Sequence, residues 1–428
     1  MSAPSLIYAD ETGDIYDHPE LAMAGSATGT WEPVGESQCI LLPQGSELFL
    51  LPGRLPVGIN RQGEFTVLEE DPQNPGHRVC AVAAFMAPAH TATHSAAYKT
   101  QPGAPNLPLF AYTAAGYGRS GFVAAGLRID SLPRQDAASF PSSQRLASAA
   151  RRLLRVYKDN RLWQHLGTCA LTYCCPAAKN LMLERWEAPL PTSPICNAAC
   201  LGCLNSQPEG RFPCTQDRIK FAPTAAEVAE VANHHFAKAR DPLVSFGQGC
   251  EGEPLMQGKL LAEAIYLIRK KHPYGTINVN TNGSLPDVVA DLMQEGLTSI
   301  RVSLNSLLPE RHQAYYQPKG WSLKDAVASI EEVKKEGGFA SINLLSLPGV
   351  TDRPEEVQAL FDLVENTRLD LIQWRNLNID PEIYLDTLGL KPPREHMGME
   401  QLIKELRLRF PRLRHGYFNP KIEMKPEN

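Results

Sequence analysis

The chain has 428 residues, 43% of them hydrophobic and 21% charged, with a formal net charge of −5 and ten cysteines. That composition excludes a disordered chain, is long enough for two or three domains, and supplies no global field for a polyanion such as nucleic acid. No window approaches about 18 uninterrupted apolar residues, and the acidic start "MSAPSLIYADETGDIYDHPE" lacks the basic-then-apolar order of a secretory signal, so no membrane association and a cytoplasmic location are expected. In a reducing compartment, ten thiols argue for metal binding rather than a disulfide framework.

Residues 1–140 hold short apolar runs such as "CILLPQGSELFLLPG" and "HRVCAVAAFMAPA", punctuated by Gly and Pro, and read as a β-rich or α+β N-terminal accessory domain. Residues 141–188 carry helical spacing and read as a helical connector through about residue 187, split at Pro176. Across residues 134–161, Arg134, Arg145, Arg151, Arg152, Arg155, Lys158 and Arg161 outnumber Asp136 and Asp159. That excess reads as a solvated helix face, and a nucleic-acid partner is not expected. Residues 189–390 alternate strands and helices. Strands are expected just before Cys196 and at 242–249, 276–283, 299–306, 340–349 and 369–378, with helices near 224–239, 255–271, 286–295, 322–336 and 354–366. The class is α/β: six strands in a parallel sheet, open or curled into a barrel, followed by a C-terminal cap at 391–428.

Cys196, Cys200 and Cys203, in "SPICNAACLGCLNS", stand four and three residues apart. Thiolates this close on a tight loop can hold an iron-sulfur cluster, and three ligands on a four-iron cube leave one iron open to a substrate or cofactor. The competing reading is a structural zinc completed by Cys214. Of the other cysteines, Cys169, Cys174 and Cys175 lie at spacings too irregular for one helical face and read as buried apolar groups. For Cys250 and Cys214 a second reading stays open, a place near the cavity as hydrogen-atom donor or ligand.

The CxxxCxxC triplet at the end of a first strand, opening about six βα units over residues 194–380, resembles the radical S-adenosylmethionine (radical SAM) superfamily. The resemblance implies a partial (β/α)6 radical SAM barrel with a [4Fe-4S] cluster on Cys196, Cys200 and Cys203. The amino and carboxylate groups of S-adenosylmethionine would chelate the fourth iron. A one-electron reductant such as flavodoxin or ferredoxin would drive its cleavage to a 5′-deoxyadenosyl radical that abstracts hydrogen from a substrate. The substrate is expected to be a peptide, a protein or a small molecule rather than RNA.

Four further segments fit the resemblance at the carboxyl ends of strands, where parallel sheets bind ligands. In "GQGCEGEPL", Gly252 would admit close backbone and Glu253 would accept from the methionine ammonium, although Glu251 stands where a glycine is usual. Thr281 and Asn282 of "NTNGS" would lie beside the ligand. Ser303 and Asn305 of "VSLNS" would share a face and contact ribose and carboxylate. "LLSLPGVTD" and "IQWRNLN" would end the last two strands, with Trp374 and Arg375 at the mouth to stack on, or pair with, a planar or anionic substrate. Gly202 replaces the aromatic residue usual before the third cysteine, leaving Leu204 or a residue from elsewhere to pack near adenine. Taken singly, Glu253 also fits a helix N-terminus, and Ser303, Asn305 and Asn282-Gly283 fit ordinary turns. Two rival functions use the same thiols: an iron-sulfur electron-transfer or sensor protein, and a zinc-stabilised binding module.

Overall fold

In a computed structural model, which describes residues 3–133, 136–209, 211–392 and 395–423, the strands are divided between two sheets. Arg134 of the basic segment and residues 393–394 and 424–428 of the C-terminal cap lie outside the described residues.

Residues 5–128 form a 13-stranded sheet whose pairings are antiparallel, with the long strand Ile15–Ala27 against Ser5–Ala9 near its middle. Three helices follow: α1 (Ser143–Val156), α2 (Arg161–Leu171) and α3 (Pro176–Met182). The Asn160 side chain caps α2 by accepting from Leu162 and Trp163 N–H, and Pro176 opens α3 at a position where its missing N–H costs nothing. The helical pattern ends earlier than residue 187. Glu184 turns the chain at φ +54, and Arg185–Pro189 pairs in parallel with residues 240–245 as the first strand of the second sheet. Cross-strand pairing outweighs the helical spacing of those residues.

The second sheet is parallel and curls into a partial barrel. Its strands are Arg185–Pro189, Arg240–Phe246, Thr276–Thr281, Ser299–Leu304, Phe339–Ser346, Leu371–Asn376 and Arg414–Gly416, side by side in chain order. Six match the expected count, and the short seventh comes from the C-terminal segment. Strand side chains alternate between faces. Val244, Ile277, Val279, Ile300, Val302, Ile342 and Ile372 point out into one continuous apolar core shared with the helices. The inner face is polar instead. Asn278 donates to Asn280, Ser299 to Asn278, Arg301 to Gln373 and Arg375 to Asn343. An ordinary closed barrel fills this space with branched apolar side chains; a polar lumen is a space built to hold something.

Both ends of that lumen are stopped. At one end Asn419 bonds Glu187, Asn280 and Gln373. At the other the antiparallel sheet docks on the ends of the fifth and sixth parallel strands. There Asn376 accepts from the Ala92 N–H and donates to the His90 carbonyl, and Arg54 pairs with buried Asp380 at 3.1 Å.

Candidate active site

The strand ends and the docked sheet enclose a cavity of about 480 Å³, lined among others by Cys196, Cys200, Cys203, Glu253, Ser303 and Arg375. Phe85, Met86 and Ala111 contribute the wall from the N-terminal sheet, so the accessory region is part of the site.

The cysteine loop is held by its backbone, leaving the sulfurs free of that task. Gly252 N–H donates to the Ser193 carbonyl at 2.7 Å and Glu253 N–H to the Ile195 carbonyl at 2.9 Å. On the other side, Ala199 and Leu201 N–H donate to the carbonyls of Tyr316 and Tyr315. Asn197 bridges to Asn282 and Ser284, and its carbonyl receives Trp321 Nε1 at 2.9 Å. Gly252 is required by packing: a Cβ there would meet the Ile195 carbonyl oxygen at 1.9 Å.

The two adjacent carboxylates divide their work. Glu251 accepts from the Thr192, Ser193 and Gln248 N–H groups and anchors the chain leading into the triplet. Glu253 accepts from the Thr281 hydroxyl and from Leu255 and Asn282 N–H. Burial pushes both carboxyls up to about 7, against the pull of the hydrogen bonds they accept. Glu251 Oε2 is committed to Thr192 and Ser193, while Glu251 Oε1, with Gln248 N–H, and Glu253 Oε2, with Asn282 N–H, each take a single donor and retain capacity for another.

Gly202 has its explanation across the cavity wall. A Cβ at this position would lie 2.8 Å from Tyr315 Oη, so a tyrosine from the helix Pro309–Tyr316 fills the space of the missing aromatic. Ser303 lines the cavity. Asn305 does not share its face: the strand ends at Leu304, alternation lapses, and the Asn305 amide donates to the Arg311 carbonyl and Tyr384 hydroxyl. Trp374 is also turned away from the mouth. It is fully buried among the helices and stacks on His415 at 6.1 Å, because strand alternation sends it to the face opposite Arg375.

Arg375 does line the cavity, with its guanidinium 3.6 Å from the centre of the Tyr417 ring. Arg301, which the sequence reading passed over, lies beside it on the neighbouring face and shares the Gln373 Oε1 acceptor. Their partners are amide and carbonyl oxygens and a ring, not carboxylates, and Arg301 Nε is buried with no partner. Burial and the neighbouring Arg375 pull the Arg301 pKa down to about 9. Two guanidiniums so placed suit an anionic group. The signal for Arg301 was available: it stands two residues before Ser303 in one strand, and so on the same face.

Of the remaining thiols, Cys214 is exposed, and Cys250 turns away from the cavity toward α2. Arg152 pairs with Glu184 and Arg161 with Glu227 on the outer surface, in keeping with a solvated face.

The donor set fits a cluster. Around one tetrahedral ion, thiolate sulfurs stand about 3.8 Å apart. Among the described residues, His165, Cys169 and Cys250 bring three such donors within 4.8 Å of one another, while Cys196, Cys200 and Cys203 are near enough for the neighbouring thiols to shift the pKa values of Cys196 and Cys200. Burial raises the thiol pKa of Cys196 and, further, of Cys200, with the neighbouring thiols adding to the shift. Binding of a metal cluster would supply the positive charge that draws those protons off.

A curled parallel sheet with three thiols at the carboxyl end of its first strand defines the class, and residues 190–364 match the family model of the radical SAM superfamily and so form a radical SAM domain. That match implies an iron-sulfur cluster and S-adenosylmethionine-dependent radical chemistry. Among curated proteins, the chain is 23% identical over 181 residues to the FeMo cofactor biosynthesis protein NifB of Chlorobaculum tepidum, covering 38% of this chain and 42% of that relative. The chain thus spans less than half the length of the relative it matches. Similar solved structures include methylornithine synthase (PylB), at 15% identity and a TM-score of 0.39 over 65% of this chain and 72% of that one. Streptococcus suis SuiB bound to S-adenosylmethionine is another, at 14% identity and a TM-score of 0.39 over 64% of this chain and 62% of that one. No helix of the described residues is long and apolar enough to cross a membrane.

Proposed function

We propose that Cys196, Cys200 and Cys203 hold a [4Fe-4S] cluster whose open iron binds S-adenosylmethionine, and that the chain is a hydrogen-abstracting enzyme acting on an anionic substrate. The observation that supports it is the convergence of the three thiols, Glu253 and the Arg301–Arg375 pair on one cavity. Bound there, the cluster and cofactor would supply a 5′-deoxyadenosyl radical on one-electron reduction by a flavodoxin or ferredoxin.

The chain's own residues then have separable tasks. Glu253, whose Oε2 takes only the Asn282 N–H, accepts from the methionine ammonium, while Thr281 and the Asn282 N–H fix its orientation. Gly252 keeps the backbone close, and Ser303 offers its hydroxyl to the ribose. Asn305 holds Tyr384 and the helix following it, and so acts behind the wall. Phe85, Met86 and Ala111 keep water from the reacting centre, as a primary carbon radical requires. Arg301 and Arg375 receive a carboxylate or phosphate of the substrate.

Anaerobic reconstitution with iron and sulfide, followed by reduction and assay of 5′-deoxyadenosine, tests the reading. The intact chain is expected to form it, and Cys200→Ala to form none. A cluster-bearing chain that leaves S-adenosylmethionine intact would be an electron carrier or sensor. A colourless chain holding about one metal ion would be a zinc module.

A further inference from the structure

We propose that His165, Cys169 and Cys250 form a second metal site, for a zinc ion, separate from the triplet and facing the helical connector. His165 and Cys169 lie one turn apart on α2 and so share a face, with Nε2 and Sγ 3.5 Å apart. Cys250 comes from the loop after the second parallel strand, and the three donor atoms lie within 4.8 Å of one another. The 3.5 Å pair matches donors around one tetrahedral ion, which stand about 3.3–3.8 Å apart for bond lengths of about 2.0–2.3 Å, and Cys250 Sγ lies within 4.8 Å of both.

The charge also balances. Cys169 and Cys250 are 1% and 5% exposed, and burying a lone divalent ion would be prohibitive. Two thiolates and a neutral imidazole cancel its charge, and the two thiol protons leave to solvent as the ion binds. Phe221 lies edge-on to His165 at 6.4 Å and screens the site from water. Cys175, at the start of α3, donates its N–H to the Cys169 carbonyl at 2.9 Å and so ties α3 to the helix that carries two of the donors.

The site has a consequence for its neighbours. Cys250 immediately precedes Glu251, whose carboxylate anchors Thr192 and Ser193 ahead of the cysteine triplet. A zinc ion would fasten α2 to that loop from behind. It does not depend on the cluster reading: the ion would bind whether or not the triplet holds iron.

The probe is cobalt(II) added anaerobically to the full chain carrying Cys196→Ala, Cys200→Ala and Cys203→Ala, whose loop is held by backbone bonds that do not use the sulfurs. About one cobalt per chain is expected, with thiolate-to-metal charge-transfer absorption of the strength of two or three thiolates, displaced by zinc. Cys169→Ser and Cys250→Ser should each lower that absorption, and His165→Ala should weaken zinc binding at least tenfold. Absent charge transfer, a band unchanged by Cys169→Ser and Cys250→Ser, or recovery of these two cysteines as a disulfide from zinc-treated chain would overturn the proposal. Because the first readout uses His165, Cys169 and Cys250 unmutated, it stands even if the serine variants fail to fold.

Discussion

In the parallel sheet, the outward side chains of six strands merge with the helices into a single apolar body. The antiparallel sheet of residues 5–128 divides its own among five clusters, and the largest has eight buried members, five of them alanine. Burial stabilises by about 25 cal/mol per Å² of apolar surface, so alanine-rich clusters contribute little each. The parallel half can therefore carry a polar lumen at its centre and still hold its shape. The antiparallel half depends more on where it docks. Its docking contacts include charged pairs, chiefly buried Arg54 with Asp380 and partly exposed His396 with Asp352 and Glu32. The difference assigns the two regions their parts: one is a frame that positions the thiols, the other a fitted wall that closes the mouth.

The largest expected effect lies inside the frame. Gly252→Ala would drive a Cβ into the Ile195 carbonyl and displace the loop that presents Cys196. The variant should lose most of its reconstituted iron while its far-ultraviolet circular dichroism stays close to that of the parent. Retention of full iron content would show that the loop yields more easily than its backbone bonds suggest.

Next comes the joint between the regions. Arg54→Met leaves Asp380 charged and buried without its partner, a loss of about 3–5 kcal/mol. The Leu107 N–H and the Glu382 N–H still reach that carboxylate and set the lower end of the range. Hydrogen exchange should speed up in residues 54–59 and 98–100 and stay slow in the strand Thr276–Thr281. Equal acceleration in both sheets would mean that the frame, too, depends on the docked wall.

How much of this was legible in the sequence follows the same division. The thiol triplet and five of the parallel strands could be read directly, because spacing in a short loop and β-then-α alternation are local signals. The first strand was misread as helix through residue 187 because its partner, Arg240–Phe246, lies more than fifty residues on. Trp374 was assigned to the cavity from nearness to a strand end, where the pleat decides otherwise, and Asn305 by an alternation with Ser303 that lapses once the strand ends at Leu304. Arg301 was legible by the same alternation and was passed over in favour of Ser303. The wall residues Phe85, Met86 and Ala111 left no signal, since only the docking of distant segments brings them to the thiols. His165 and Cys169 did leave one, four apart on a helix, but Cys169 was compared with Cys174 and Cys175 instead.

The smallest expected effect concerns the second joint and depends on pH. His396 lies between Asp352 at 3.0 Å and Glu32 at 2.6 Å, and those carboxylates, Asp352 foremost, raise its pKa from 6.5 to about 9. A group whose pKa is raised on folding binds its proton more tightly in the folded state. Its contribution is therefore complete below pH 6.5, declines as pH rises through about 9, and is absent above that. A partly exposed pair of this kind contributes on the order of 1 kcal/mol. The intact chain should lose more stability between pH 7 and pH 10 than His396→Gln does, with the difference read from chemical denaturation at each pH. Parallel losses in the two proteins would mean that His396 is not the group that holds Glu32 to Asp352, and that the antiparallel sheet is kept in place by the Arg54 and Asn376 contacts alone.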